Sequence, residues 1–215
     1  MYQFTINAAQ KVYYNNQAWT GLNYTHVRLL DPFGNMVINT AFYSDQGPVM
    51  LNQPGAYTLL VEGSVGETSN GNIAFTMVPV TDGNQALTLG SLVNGTIQMS
   101  GQAQRYTFTL AADSELYFDS HSNNGNLLWS LVGPTGNEVI PRSFNASDAQ
   151  SINYPVLALP AGNYTLTVSG NGDTTADYQF RLLDLAAATP LTLGTPVSGP
   201  LNPGNSTLMY QFTIN

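Results

Sequence analysis

The phrase Met1-Tyr-Gln-Phe-Thr-Ile-Asn7 returns unchanged at Met209–Asn215, and a related phrase, Arg105-Tyr-Thr-Phe-Thr-Leu-Ala111, lies midway between the two. The tyrosines of the three phrases follow one another at a constant spacing (106 − 2 = 210 − 106 = 104). Each phrase alternates apolar and polar residues, which is typical of a half-buried β-strand. A strand that recurs at constant spacing indicates a tandem repeat.

The repeat divides the 215 residues unevenly. Leu87-Thr-Leu-Gly90 opens a unit that runs to about residue 186, and the same letters return at Leu191-Thr-Leu-Gly194. Nothing equivalent precedes the Met1 phrase. We therefore predict a β-sandwich repeat without its first strands over residues 1–82, a complete repeat over 83–186, and the opening strands of the next repeat over 187–215.

The spacing of turns predicts the fold class. Gly133-Pro-Thr-Gly-Asn137 and Asp31-Pro-Phe-Gly-Asn35 are matching turns between short alternating segments, and no stretch has a clear helical period. We expect an all-β chain of tandem antiparallel, jelly-roll-like β-sandwich domains. The apolar phases of the strands predict the core residues: Tyr106, Phe108, Leu116 or Phe118, Trp129, Leu131, Tyr164, Leu166 and Phe180 in the second unit, with Tyr2, Phe4, Val27, Leu29, Tyr57, Leu59 and Phe75 in the first.

The composition excludes several classes of function. Only 8% of residues are charged, the formal net charge is −8, and there is no cysteine. An acidic surface with few charges does not favour a phosphate backbone, so no nucleic-acid partner is expected. No apolar run reaches the roughly 20 residues that span a bilayer, so no membrane insertion is expected. Few charges together with many Asn, Thr, Ser and Gly residues favour an extracellular or cell-surface location.

Four segments of the second unit resemble a known family: Val93-Asn-Gly-Thr-Ile97, Tyr106-Thr-Phe-Thr-Leu110, Gly133-Pro-Thr-Gly-Asn137 and Leu159-Pro-Ala-Gly-Asn-Tyr-Thr-Leu-Thr-Val168. They resemble the bacterial pre-peptidase C-terminal domain, repeats of which occur in large secreted and surface proteins. The resemblance implies a jelly-roll-like sandwich outside the cell and a role in surface or polymer binding. It implies no catalysis.

The residues that could carry chemistry are few. His26 and His121 have no catalytic partner at a recognised spacing, so we interpret both as surface histidines and predict no enzyme activity. Two loops rich in oxygen-bearing side chains beside glycine are candidates for calcium, although such loops are more often plain turns. Their candidate ligands are Asp119, Asn123, Asp173 and Asp177. No other cofactor is expected.

Five Asn-x-Ser/Thr triplets are candidate glycosylation sites where the source cell has the transferase. They begin at Asn23, Asn94, Asn145, Asn163 and Asn205. Trp19, in a polar stretch, is the best candidate for an exposed aromatic contact with a surface glycan.

The repeat pattern favours a structural role. We expect a repeat unit of an extracellular bacterial fibre or surface stalk whose partners are other copies of itself, with residues 191–215 completing the next unit. The expected inter-unit contacts are Leu191, Leu193, Leu208, Tyr210, Phe212 and Ile214 against Tyr2 and Phe4. The copies are either covalently linked in an array, which the duplicated phrase favours, or joined by strand donation. The alternative is an adhesin or accessory module that binds glycan or protein.

Overall fold

The structure is a computed structural model that describes residues 1–214, and it consists of β-strands joined by turns. Its helical content in that range is three short 3-10 helices, at Phe144–Ala146, Ala149–Ser151 and Leu185–Ala187. The chain divides into two compact units. The first comprises residues 1–81 with 98–102 and 172–175, and the second comprises 82–97, 103–171 and the residues from 176 onward.

The first unit has seven strands in two antiparallel sheets. They are β1 (Tyr2–Ile6), β2 (Gln10–Thr20), β3 (Thr25–Leu30), β4 (Met36–Ala41), β5 (Gln46–Leu51), β6 (Gly55–Gly63) and β7 (Asn72–Val80). One sheet has the order β1-β6-β3-β4 and the other the order β5-β2-β7. Val27, Leu29 and Leu59 are buried in the core of this unit, since they lie on the inward phase of their strands.

The second unit has the same seven strands and two more before them. Its strands are β8 (Gly83–Ala86), β9 (Val93–Ile97), β10 (Ala103–Leu110), β11 (Ser114–Ser120), β12 (Leu127–Gly133), β13 (Gly136–Ser143), β14 (Val156–Leu159), β15 (Gly162–Gly170) and β16 (Ala176–Asp184). The sheet orders are β13-β12-β15-β10-β8 and β14-β11-β16-β9. All pairs are antiparallel except β8 with β10, which is parallel. A separate parallel pair joins β17 (Thr189–Pro190) to β18 (Tyr210–Gln211).

Identical local features show that β1–β7 are the counterparts of β10–β16. Phe4 lies opposite Tyr57 across the β1–β6 pair with ring centroids 5.7 Å apart, and Phe108 lies opposite Tyr164 at 5.1 Å. The Tyr57 hydroxyl donates to the Gln53 carbonyl at 3.0 Å, as the Tyr164 hydroxyl donates to the carbonyl four residues before it at 2.5 Å. The first unit therefore lacks only counterparts of β8 and β9.

The predicted core of the second unit is confirmed. Trp129 stacks on Phe118 with centroids 3.9 Å apart, and its Nε1 donates to Ser147 Oγ at 2.7 Å. The alternatives Leu116 and Phe118 are both buried. The other predicted members are buried as well: Tyr106, Phe108, Leu131, Tyr164, Leu166 and Phe180.

The prediction for Tyr2 is wrong. Its side chain is 52% exposed, whereas its counterpart Tyr106 is 2% exposed. Both rings make an edge contact with a phenylalanine of the opposite sheet, at 5.2 Å for Tyr2 on Phe75 and 5.5 Å for Tyr106 on Phe180. The difference arises because β8 pairs with β10 while no strand in residues 1–214 pairs with the free edge of β1. Phe4 and Phe75 are only partly buried for the same reason.

Replacement of Tyr57 or Tyr164 with Phe should lower the free energy of unfolding by about 1 kcal/mol each, because each hydroxyl bonds a backbone carbonyl that would lose its partner. The two tyrosines share no hydrogen-bond partner, so the losses should add in the double variant. Urea titration measures both. Tyr154→Phe is the control, since Tyr154 is largely exposed, and an equal loss in that variant would contradict the assignment.

Candidate functional site

Asp119 occupies an unusual position near the end of β11. Alternation along the strand should turn it outward, yet Phe118, Asp119 and Ser120 are all buried. The outward face is covered there by the C-terminal segment, which we define as residues 187–214. The Thr207 hydroxyl of this segment donates to Asp119 Oδ1 at 2.8 Å.

The other carboxylate oxygen of Asp119 is held by two basic side chains. Arg181, opposite Asp119 on β16, donates to Oδ2 from Nε at 2.8 Å and from Nη2 at 2.6 Å. His121 Nε2 lies 2.9 Å from the same oxygen. Arg181 Nη2 also donates to the Thr207 carbonyl at 3.1 Å. We call Asp119, His121, Arg181 and Thr207 the Asp119 cluster.

The interpretation of His121 as a surface residue without an acidic partner is wrong. Its side chain is 3% exposed and contacts the buried Asp119 carboxylate. Its Nδ1 atom is buried and has no hydrogen-bond partner. The neighbouring hydroxyls are directed elsewhere: Ser120 Oγ donates to the Ser122 carbonyl, and Ser122 Oγ accepts from the Gln179 backbone. Asp119 and His121 thus form a buried pair with no hydroxyl on the free ring nitrogen. His26 is exposed, as expected.

A further hydrogen bond joins the C-terminal segment to the same unit, and another lies within the segment. Asn205 Nδ2 donates to the His121 carbonyl at 3.0 Å, two residues from the Thr207 contact. Within the segment, Gln211 Nε2 donates to the Ala188 carbonyl at 2.8 Å. The Asp119 cluster is therefore the anchor of the C-terminal segment on the second unit.

The backbone of the C-terminal segment repeats the opening of the second unit. Thr189 lies opposite Tyr210 in the β17–β18 pair, as Gln85 lies opposite Tyr106 in the β8–β10 pair, 104 residues earlier. The Leu191 amide donates to the carbonyl of Gln211 at 2.7 Å, and the Leu87 amide donates to the equivalent carbonyl at 2.8 Å. Residues 189–191 and 210–211 therefore repeat the backbone pairing that opens the second unit.

The apolar side chains of the C-terminal segment lack the cover that their counterparts have. Tyr210 and Phe212 are 42% and 51% exposed, against 2% and 8% for Tyr106 and Phe108. Leu193, Val197, Leu201, Leu208 and Ile214 are also exposed, and Leu191 is partly buried. The segment contains no charged residue. It therefore presents an uncharged surface of apolar side chains.

A groove of about 680 Å³ lies between β11, the Leu185–Ala187 turn and the C-terminal segment. The residues that line it include the acidic Asp113, Glu115 and Asp184 and the apolar Leu208 and Tyr210. The Asp184 carboxylate accepts from the Ala186 amide at 2.9 Å and so caps the 3-10 turn. The groove is therefore lined by both acidic and apolar residues.

The four candidate calcium ligands lie in different surroundings. Asp119 is paired with Arg181, whereas Asn123, Asp173 and Asp177 are exposed. Asp177 accepts from Thr96 Oγ1 at 2.6 Å and lies four residues along β16 from Arg181, which is about 13 Å of strand. Asp173 belongs to the first unit. Across residues 1–214, no group of three or more His, Cys, Asp or Glu side chains could hold a metal ion. Calcium binding stays an untested prediction.

The five candidate glycosylation asparagines, Asn23, Asn94, Asn145, Asn163 and Asn205, are exposed. Asn205 differs from the others because its amide nitrogen bonds the His121 carbonyl, so a glycan there would break one contact of the anchor. The exposed Trp19 lies beside Tyr43, with centroids 5.8 Å apart and planes inclined by 39°.

No family profile matches this chain, and no curated protein sequence matches it. Solved structures with a similar fold include the PliG periplasmic inhibitor of g-type lysozyme from Salmonella Typhimurium, with 16% identity over 47% of this chain and 98% of that one (TM-score 0.39). PliG from Aeromonas hydrophila has 13% identity over 49% and 98% (TM-score 0.37). The pre-peptidase C-terminal domain of Bacillus anthracis collagenase has 14% identity over 48% and 96% (TM-score 0.32). Similarities this low assign neither a family nor an activity.

Among the described residues, no helix is long and apolar enough to cross a membrane.

Asp119→Asn should lower the free energy of unfolding by about 3 kcal/mol, because the amide keeps the shape but leaves Arg181 without its buried counter-charge. Amide hydrogen exchange of residues 205–211 should accelerate in the same variant, since Thr207 loses a charged acceptor. Asp177→Asn is the control and should change stability by less than about 0.5 kcal/mol, since Asp177 is exposed. Unchanged exchange in Asp119→Asn would contradict the anchor.

Asp148→Asn should change how stability depends on pH. Burial raises the pKa of Asp148, although the Ser120 amide that donates to its Oδ2 at 2.7 Å lowers it in part. The Asp148 carboxyl therefore binds its proton more tightly in the native state than in the unfolded state. Its contribution to stability is fully present below the unfolded pKa and is lost as pH rises through the native pKa. The free energy of unfolding of Asp148→Asn minus that of the wild type should therefore be larger at about pH 7 than at about pH 3.

Thermal unfolding across that pH range measures the difference. Asp31→Asn serves as a control of opposite sign, because hydrogen bonds from the Asn35 side chain and nearby amides lower the pKa of Asp31. Its wild-type carboxylate contributes stability above the unfolded pKa, and that contribution is lost as pH falls. Equal pH dependence in the two variants would contradict both assignments.

Proposed function

We propose that this chain is a structural repeat unit of an extracellular bacterial fibre or surface stalk, assembled head to tail. In this proposal residues 191–215 of one copy complete the first unit of the next, with Asn215 outside the described residues. The observation that carries the proposal is the β17–β18 pair, which repeats the register of β8–β10. A segment that already has the backbone pairing of a repeat opening is suited to continue the repeat.

The exposure of matching surfaces supports head-to-tail assembly. The C-terminal segment exposes Tyr210 and Phe212, and the first unit exposes part of Tyr2 and Phe4. These two surfaces differ from each other, so a contact between them is heterologous and propagates into a linear polymer unless its rotation closes a ring. The result would be a fibre rather than a closed dimer.

The composition supports an extracellular structural role. Charged residues are only 8% of the chain, and the absence of cysteine removes any dependence on disulfide formation. We therefore extend the proposal to a location outside the cell.

Either of two linkages fits this proposal. In a covalent array, the segment continues directly into the next copy. In a strand-donated polymer, Met209–Ile214 would compete with the identical Met1–Ile6 of the acceptor for one position beside β6. This competition favours the array.

Glycan binding remains the alternative function, and the exposed Trp19–Tyr43 pair is the feature that favours it. The two planes are inclined by 39°, so they do not form the flat platform on which a sugar ring stacks best. The structural role is therefore the better supported proposal.

Leu193→Asn with Val197→Asn should abolish self-association, because both side chains are exposed in the single chain and would be covered in the assembly. Sedimentation velocity across a concentration series should show growing species for the wild type and a 23.1 kDa monomer for the double variant. The unfolding midpoints of the two should agree at concentrations where both are monomeric. Val65→Asn with Ile140→Asn is the control, since these exposed residues lie outside both surfaces. Monomeric wild type at every concentration would contradict the proposal for separate chains.

A further inference from the structure

We infer that the free edges of β1 and β7 form a docking surface for residues 187–201 of a further copy of this chain, which add one strand to each sheet of the first unit. Residues 187–190 would leave β18 and lie parallel to β1 of the further copy, whose Met1–Ile6 is identical in sequence to Met209–Ile214, and residues 197–201 would lie antiparallel to β7. This inference rests on the proposed function and specifies which strands pair, in which direction and in which register.

The two free edges are those that β8 and β9 cover in the second unit. In residues 1–214, β1 pairs only with β6 and β7 pairs only with β2. Their counterparts β10 and β16 each have a second neighbour, β8 and β9 respectively. Neither β1 nor β7 contains a charged residue, and charges are a common device that keeps an edge strand unpaired.

The register beside β1 follows from the β8–β10 pair. Gln85 lies opposite Tyr106 and Ala86 opposite Thr107 in the parallel pairing. The positions one repeat after Gln85 and Ala86 are residues 189 and 190. The positions one repeat before Tyr106 and Thr107 are Tyr2 and Gln3. Thr189 of the docked copy therefore lies opposite Tyr2, and Pro190 opposite Gln3.

The register beside β7 follows from the β9–β16 pair. Asn94 lies opposite Gln179, and the Gln179 amide bonds the Asn94 side chain at 2.8 Å. Asn15 and Asp119 are counterparts one repeat apart, and they lie opposite Thr76 and Arg181 respectively. Thr76 therefore corresponds to Arg181, and Ala74, two residues before Thr76, corresponds to Gln179. Asn94 corresponds to Ser198, one repeat later. Ser198 of the docked copy therefore lies opposite Ala74.

By the same count, Pro200 lies opposite Asn72. A proline lacks a backbone N–H, which a central strand would need for pairing on both sides. β8 and β9 are outermost in their sheets, and so are the strands that replace them in this inference. Pro190 and Pro200 are therefore compatible with their positions.

Apolar side chains on the two sides match. In the second unit, Leu87, Leu89, Val93 and Ile97 pack into the core. Their counterparts in the C-terminal segment are Leu191, Leu193, Val197 and Leu201, of which the last three are exposed. The surface they would cover consists of partly buried or exposed side chains: Tyr2, Phe4, Ile73, Phe75 and Met77. The counterparts of these residues in the second unit are buried.

The anchor on the second unit keeps the segment available to another copy. Thr207 and Asn205 bond residues of their own second unit, and the segment belongs to that unit. Residues 197–201, which precede this anchor, are exposed throughout. The occupant is accordingly a second copy rather than the same chain's own segment.

The test uses single-cysteine variants of the full chain, which has no native cysteine. Chains carrying Ala74→Cys or Asn72→Cys are mixed with chains carrying Ser198→Cys or Pro200→Cys and then oxidised. Directly opposite residues of an antiparallel pair have Cα atoms about 4.5–5.5 Å apart, within disulfide reach, whereas diagonal neighbours are about 7–8 Å apart. Residues 74 with 198, and 72 with 200, are the opposite pairs. Residues 74 with 200, and 72 with 198, are the diagonal controls.

We expect about tenfold more linked heterodimer from the two opposite pairs than from the two diagonal pairs. Preferential linkage of the diagonal pairs would overturn the register. Equal linkage of all four, in chains that still sediment as growing species, would overturn the docking surface and leave the proposed function standing. A monomeric chain with no linkage would overturn the inference and, with it, the strand-donated form of the proposed function. In the double variant Ala74→Cys with Ser198→Cys, a disulfide within one chain would show that the segment folds back on its own first unit and would overturn the inference.

Discussion

Closure of each sandwich core depends on two strand positions that precede the Tyr-x-Phe-x-Ile/Leu strand. In the second unit, β8 and β9 occupy these positions and their apolar side chains complete the core. In the first unit, nothing in the described chain occupies them, and Tyr2 is the residue that shows the consequence. Burying a large apolar side chain stabilises by about 1.5–3 kcal/mol, so cover for several half-exposed residues would contribute several kcal/mol. In the proposed assembly, this free energy would be the physical basis for association through the first unit.

The Asp119 cluster serves a different purpose from the apolar strands. An ion pair that is taken out of water recovers little net stability, but its hydrogen bonds restrict which groups fit beside it. Asp119 receives donors from β16 and from Thr207, so it holds the residues just before β18 in one place. In the proposed assembly, the apolar surface would supply the driving force for docking, while the polar anchor would determine from where the segment projects.

The two units keep the same backbone contacts although their sequences have diverged. Counterpart strands keep the same pairing, the same tyrosine-to-carbonyl bond and the same stacked Phe–Tyr pair although most side chains differ. Glycine recurs where the backbone requires it. Gly55 and Gly162 both have positive φ, and a Cβ at either would overlap Pro32 or Pro134. Divergence at other positions shows that the fold tolerates changes that keep the apolar phase and the turns.

The sequence by itself determined the fold class, the repeat length and most of the core, because period-2 alternation and turn residues are local signals. It placed Trp129, Phe180 and Tyr164 in the core correctly for that reason. It failed at Tyr2, because the burial of a strand residue also depends on whether a neighbouring strand covers it. The sequence analysis was wrong about His121 and missed the Asp119–Arg181–Thr207 contacts. These contacts join residues up to 88 positions apart, and strand alternation alone predicts that Asp119 faces solvent. Only the tertiary structure brought β11, β16 and the C-terminal segment together, because long-range pairing and the cover of an outward face are not written in any local pattern.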